Sequence, residues 1–131
     1  MTQGESSNRH SRSRAASFGY AFSGIWRVLR TQPNARIHTL ATVCTIALGA
    51  WLGLSRVEWA ILVLTIGCVW TAEFINTALE AVVDLVSPEL HPLAKIGKDV
   101  SAAAVLVAAI AAAVVGLLIL GPPLWTKLFG G

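Results

Sequence analysis

The chain has 131 residues, of which 55% are hydrophobic and only 13% are charged. Soluble domains carry about a quarter charged residues, so this composition excludes an ordinary soluble domain. The net charge of +3 comes without a basic face on a soluble fold, which excludes a nucleic-acid-binding module. The mean hydropathy of +0.67 instead indicates a membrane protein.

The N-terminal third is polar and basic before any apolar stretch begins. Residues 1–16 are rich in Ser and Arg, which predicts a disordered basic arm. Residues 17–31 place Phe18, Phe22 and Trp26 at helical spacing, with arginines off that stripe. This pattern predicts an amphipathic helix that lies on the membrane surface.

Three apolar stretches follow, and they predict an all-α membrane protein with three transmembrane helices. A span needs about 20 apolar residues, and we place the spans at about 37–54, 59–84 and 99–120. The second reaches spanning length only if its helix continues past Glu73. Residues 121–131 are expected to form a short external tail.

The placement of Lys and Arg predicts the orientation in the membrane. Most cationic residues precede the first span or lie between the second and third, so these segments are expected in the cytoplasm. The first loop and the C-terminus are then expected outside.

Four polar residues of the second span form the sharpest functional signal. Glu73, Asn76, Glu80 and Asp84 are spaced by three, four and four residues, so they share one helical face. A carboxylate at this depth costs about 2–3 kcal/mol on insertion scales and needs a partner. The candidates are arginines of the N-terminal arm, the ammonium groups of Lys95 and Lys98, or a divalent metal.

Two classes of function fit this stripe: phosphate transfer to a lipid hydroxyl, and transport of an ion or proton. A purely structural role, in which ion pairs hold the helices together, is also open. Carboxylates with an amide suit Mg²⁺ bound together with nucleotide phosphates, and a carboxylate near the acyl region suits proton abstraction from a lipid hydroxyl. A small transporter or channel subunit with Glu73 as its ion or proton site is the alternative. No phosphate-binding P-loop is present, because Gly97-Lys98 is followed by Asp99.

The run from Ala72 to Asp84, with its Glu-x-x-Asn-Thr-Ala-x-Glu core, and the later His91 to Asp99 segment resemble the small prokaryotic diacylglycerol kinase family. That family includes the undecaprenol kinases, and the resemblance covers about residues 17–120. It implies a homotrimer of three-span subunits that binds ATP with Mg²⁺ and phosphorylates a lipid alcohol. The active site is implied at the cytoplasmic surface of a prokaryotic cell membrane.

The resemblance also implies roles for individual residues. Glu73 would be the catalytic base and Glu80 a ligand of the metal that accompanies the nucleotide, with Asn76 and Asp84 as positioning groups. The implied nucleotide contacts are Tyr20, Glu80, Lys98, Asp99 and either Arg14 or Arg12.

One position departs from the family pattern. Many members carry a Glu four residues before the Arg that corresponds to Arg36, and this chain has Gln32 there. An amide oxygen is a weaker magnesium ligand than a carboxylate, so Gln32 is a weak second ligand, or Asn34 or another group takes its place. The choice between undecaprenol and diacylglycerol as acceptor stays open, with a slight preference for undecaprenol from the Arg36-Ile-His38 and His-Pro-Leu-Ala-Lys segments.

Overall fold

A computed structural model describes residues 4–89 and 91–130, with side chains from residue 16 onward. These residues form four helices and no strand: α1 (Gly4–Thr31), α2 (Pro33–Leu52), α3 (Arg56–Val86) and α4 (Pro92–Phe129). The last three are long and apolar enough to cross a membrane. The all-α prediction with three spans is therefore confirmed. The chain divides into two units, residues 1–32 and residues 33–131.

The first unit is helix α1, which begins well before the predicted start at residue 17. The expected disorder of residues 1–16 is thus wrong for residues 4–16, while residues 1–3 lie outside the described part. Lack of apolar periodicity does not stop a helix, and the segment contains Arg and Ala but no proline. Phe18 and Phe22 are exposed, and the Arg30 guanidinium lies 5.5 Å from the Trp26 ring centre. An apolar face without a partner in its own unit is typical of a helix at a membrane surface.

The second unit is a bundle of α2, α3 and α4, and its first two helices form a tight antiparallel hairpin. Gly53 turns the chain with a φ of +71°, a conformation that favours glycine. Ser55 then caps α3: its hydroxyl accepts from the Glu58 amide, and the Glu58 carboxylate accepts from the Ser55 amide at 2.7 Å. A side chain on Gly49 would lie about 3.1 Å from the Trp59 ring, so this glycine permits the close approach of the two helices.

Helix α3 runs without a break through Glu73, as its length as a span requires. Its 31 residues measure about 46 Å at 1.5 Å per residue, which exceeds the roughly 30 Å hydrocarbon core. The helix is therefore longer than a perpendicular span requires.

Helix α4 is longer than predicted at both ends. It begins at Pro92, where the His91 side chain accepts from the Leu93 amide, and continues to Phe129 through Pro122 and Pro123. The tail expected at 121–131 is thus helical as far as Phe129. The Thr126 hydroxyl donates to the Pro122 carbonyl at 3.1 Å, which adds a hydrogen bond beside the two prolines.

Burial in this bundle is inverted relative to a soluble protein. Most large apolar side chains are exposed, whereas Glu73, Asn76 and Ser101 are buried. Apolar surface of this extent needs lipid or further subunits to cover it. Stability alone does not explain the burial of these polar groups, so they indicate a functional site.

Candidate active site

The polar stripe of α3 lies on one face, as predicted, and its burial decreases steadily towards the C-terminal end. Glu73 and Asn76 are 1% and 5% exposed, Glu80 is half-buried, and Asp84 is exposed. The Asn76 side-chain amide donates to the Glu80 carboxylate at 3.1 Å. The helix thus leads from an enclosed carboxylate to a solvent-facing one.

Asn76 is fixed by a residue that the sequence reasoning missed. The hydroxyl of buried Ser101, on α4, donates to the Asn76 side-chain oxygen at 2.7 Å. With both ends of its amide used, Asn76 holds Glu80 in place and links α3 to α4. Ser101 follows Lys98 by one helical turn, and this spacing is the signal that points to it.

Glu73 is the most enclosed polar group of the second unit, and neither of its carboxylate oxygens has a hydrogen-bond partner among the described residues. Its nearest charged or ionisable neighbour is His38 on α2, with 3.7 Å between His38 Nε2 and Glu73 Oε2. An unpaired buried carboxylate is costly, so this arrangement is suited to a group that arrives from outside the chain.

Of the candidate partners named for the polar stripe, the two lysines lie away from Glu73. Lys98 contacts Asp84 of the stripe at 2.9 Å, and Lys95 contacts Asp99. Helix α4 places both lysines at the exposed end of the bundle. The spacing about the hairpin is a signal that could have placed His38 near this part of α3. His38 lies sixteen residues before Leu54, and Trp70, which packs against His38, lies sixteen residues after Leu54.

A polar cavity of about 230 Å³ opens between the three helices. It is lined by the polar side chains of Asn34, His38, Asn76 and Glu80, with apolar residues around them. No group of three His, Cys, Asp or Glu side chains that would hold a metal occurs in the part of the chain that the structure describes. Mg²⁺ commonly takes only one or two protein carboxylates and completes its shell with phosphate and water. Glu80, with the Asn34 amide in the same cavity, fits that requirement.

A second cavity, of about 460 Å³, lies where α3 meets the start of α4. Its polar lining consists of the two ion pairs, Asp84 with Lys98 and Lys95 with Asp99, together with Ser87. Two ammonium groups at an exposed surface suit the phosphates of a nucleotide.

An apolar cavity of about 610 Å³ lies beside the polar cavity of about 230 Å³. His38 lines both, and from there the apolar cavity continues past Thr45 and Leu62 to Leu124. The bundle thus places an apolar groove directly beside a polar cavity.

Three predicted site residues fall outside this unit. Tyr20 is exposed on α1, and Gln32 ends the α1 unit, with its backbone amide donating to the Val28 carbonyl. The Arg14 side chain lies outside the described side chains. The three-helix unit therefore brings together Glu73, Asn76 and Glu80 as one group and Asp84, Lys98 and Asp99 as another.

Comparison with known proteins identifies the family. Residues 19–120 match the model for prokaryotic diacylglycerol kinase. The chain is 43% identical over 108 residues to an undecaprenol kinase of Bacillus subtilis, a match that covers 82% of this chain and 88% of the relative. It is 50% identical over 109 residues to a diacylglycerol kinase of Synechocystis, covering 82% of this chain and 62% of the relative. A diacylglycerol kinase of Escherichia coli is 29% identical over 102 residues, or 78% of this chain and 84% of the relative.

A transporter or channel subunit, the alternative considered from the stripe alone, has no support among these relatives. The Bacillus subtilis and Synechocystis relatives are named as an undecaprenol kinase and a diacylglycerol kinase. The chain belongs to the prokaryotic diacylglycerol kinase family and is a membrane-embedded lipid kinase that uses ATP.

Proposed function

We propose that this kinase transfers the γ-phosphate of ATP to the hydroxyl of a membrane lipid alcohol of the undecaprenol or diacylglycerol class, with Glu73 as the general base. The observation that carries the proposal is the buried Glu73 carboxylate, whose two oxygens have no hydrogen-bond partner among the described residues. The polar and apolar cavities support it, because both are lined by His38, whose Nε2 lies 3.7 Å from Glu73 Oε2. A lipid hydroxyl carried by an apolar chain matches both.

The chemical step balances with one base. As the acceptor oxygen attacks the γ-phosphorus of ATP, its proton passes to a Glu73 oxygen. The new oxygen–phosphorus bond forms while the bond to the leaving ADP breaks. Protonated Glu73 then releases its proton to water, which restores the carboxylate. General-base catalysis of this kind contributes about 10²- to 10⁴-fold.

For the nucleotide end, we propose that Glu80 holds the Mg²⁺ that accompanies ATP, with Asn34 as a second oxygen donor in place of Gln32. Both side chains line the same polar cavity. When bound, the ion neutralises phosphate charge. In this proposal Asn76 positions Glu80 through its side-chain hydrogen bond. The nucleotide is contacted by Lys98 and Asp99, and Asp84 holds Lys98 until ATP arrives. The roles of Tyr20 and Arg14 at the nucleotide rest on the family motif alone.

We further propose that this site faces the cytoplasm. Glu73 lies seventeen residues after Arg56, or about 26 Å along α3, near the far side of a roughly 30 Å core. The excess of cationic residues on that side supports a cytoplasmic location. The sparse burial of apolar side chains within one chain supports the expected homotrimer.

Undecaprenol is the acceptor to test first, because the Arg36-Ile-His38 segment that favours it contributes His38 to both cavities. Most of the residues that line the groove are apolar, and apolar contacts discriminate weakly between lipid chains. Parallel assays with undecaprenol and diacylglycerol in one detergent would rank the two by kcat/KM.

The decisive experiment measures transfer of labelled phosphate from ATP to lipid by purified protein. Wild type is expected to be active, and Glu73→Gln to lose about 10²- to 10⁴-fold in kcat. Glu58→Gln is the matched control, because Glu58 lies on the same helix at the opposite end and only caps it. Equal activity of wild type and Glu73→Gln would refute the role of Glu73, and inertness towards both lipids would refute the acceptor class.

A further inference from the structure

His38 and Glu73 are buried side chains that lie close together without a hydrogen bond between them. Their side chains are 13% and 1% exposed, and their closest atoms are 3.7 Å apart. His38 Nε2 and both Glu73 oxygens are buried without a hydrogen-bond partner in the described part of the chain. A hydrogen bond needs about 2.7–3.2 Å, so a movement of less than 1 Å would join them.

The two groups are held opposite each other by their neighbours. The Trp70 ring, one turn before Glu73, meets the edge of the His38 ring with 6.2 Å between centres. Its indole N–H donates to the hydroxyl of Thr42, one turn after His38, at 3.2 Å. The Thr42–Trp70 bond fixes the register of α2 against α3, which places His38 at the level of Glu73.

His38 also stands where the two cavities meet. It lines the apolar cavity that extends towards Leu124 and the polar cavity that contains Asn76 and Glu80. A lipid alcohol whose chain lay in the first and whose hydroxyl reached the second would pass this side chain.

We propose that His38 is a positioning residue for the kinase reaction: its Nε2–H donates to one Glu73 oxygen and leaves the other directed at the acceptor hydroxyl. The proposal rests on the proposed function, in which Glu73 is the base. A carboxylate free to rotate would present neither oxygen consistently, and a misplacement of about 1 Å can cost about 10²-fold in rate. A histidine that served packing alone would have no reason to leave Nε2 unpaired beside a carboxylate.

Two amide substitutions separate this role from simple packing. The Gln side-chain amide reaches the position of Nε2, whereas the shorter Asn amide reaches only that of Nδ1. We expect His38→Gln to keep kcat within about threefold of wild type, and His38→Asn and His38→Leu to lose about 10- to 100-fold. The KM for ATP should stay within about twofold in all three, because His38 acts on the base and not on the nucleotide.

The control is Thr39→Val, one residue further along α2, where only a hydroxyl bond to the Ala35 carbonyl is lost. It should keep wild-type kcat. In a Glu73→Gln background, His38→Asn should lower the residual rate no further, because a residue that acts through Glu73 has no effect once Glu73 is gone.

Equal kcat values for His38→Gln and His38→Asn, whether both high or both low, would overturn the proposal. So would a further loss in the Glu73→Gln background. If His38→Leu does not fold, the two amide variants still decide. A wild type inert towards every lipid would instead refute the proposed function, and that outcome is distinct from a failure confined to His38.

Discussion

The bundle contains two polar regions, one buried and one exposed, that differ in how their polar groups are paired. In the buried region, Asn76 is bonded to Ser101 and to Glu80, whereas Glu73 Oε1, Glu73 Oε2 and His38 Nε2 have no hydrogen-bond partner among the described residues. At the exposed end the charges are matched as salt bridges, with Lys98 on Asp84 and Lys95 on Asp99. Of these two regions, the buried one thus contains the unpaired groups, and the exposed one contains paired charges.

That distribution is the reverse of what stability alone would favour. Exposed ion pairs contribute little, so ATP phosphates can displace a carboxylate from Lys98 at small cost. Buried unpaired groups are expensive, so Glu73 gains most when a hydroxyl arrives. Under the proposed function, the exposed region would exchange a soluble nucleotide, and the buried region would hold a lipid in one orientation.

After Glu73→Gln, the largest effect should come from Glu80, the carboxylate between the two regions. Glu80→Gln replaces the proposed metal ligand by an amide. We expect kcat/KM for Mg-ATP to fall about 100-fold, since loss of a group that only supports a metal ligand already costs about 10- to 100-fold. A magnesium titration of the activity should show half-saturation at a higher concentration. Glu89→Gln, in the exposed loop, is the control, and an unchanged magnesium requirement in Glu80→Gln would contradict the assignment.

Next comes the link that makes the buried region rigid. Asn76→Ala leaves the Ser101 hydroxyl without its side-chain acceptor and Glu80 without a donor, so the free energy of unfolding should drop by about 1–3 kcal/mol. Thermal unfolding in detergent measures this directly. The adjacent Thr77→Val, which removes only a bond to the Glu73 carbonyl, should be milder. The interpretation would be wrong if the two variants unfolded at the same temperature.

At the exposed end, binding and stability should separate. Lys98→Gln is expected to raise the KM for ATP about tenfold, in line with loss of one charge-assisted hydrogen bond. Its Tm should hardly change, because Lys98 is partly exposed and pairs with an exposed carboxylate. Lys95→Gln, whose partner is on its own helix, should change KM less. A large drop in Tm with normal KM would reassign Lys98 to a structural role.

The smallest effect concerns the register of α2 against α3. Trp70→Phe removes the bond to Thr42 and should cost about 0.5–1.5 kcal/mol of stability, with kcat lowered only a few-fold. Thr42→Val should reproduce this loss, and the double variant should be no worse than either single one. Additive losses would mean that the two side chains act separately.

Periodicity along the chain was enough to predict the three spans, a helix over residues 17–31 and the face shared by Glu73, Asn76, Glu80 and Asp84. These features depend on spacing along one helix and on transfer of apolar residues to lipid, both of which are local properties. The motif around Asn76 was enough to identify the family. Helix ends were less well predicted, since arginine and serine continue α1 back to Gly4 and two prolines do not end α4.

Only the tertiary structure decided which polar groups meet. Lys95 and Lys98 were among the candidate partners for the carboxylates of the stripe. Helix α4 places them at the surface, beside Asp99 and Asp84, and a histidine on α2 lies beside Glu73. Ser101 became part of the site for the same reason, through its bond to Asn76 across two helices. The sequence by itself determined what each helix presents on its faces. Which polar groups meet depends on the depth and rotation at which the helices pack. In this bundle, depth and rotation are set by the tight hairpin, by the close approach at Gly49 and by the indole hydrogen bond of Trp70.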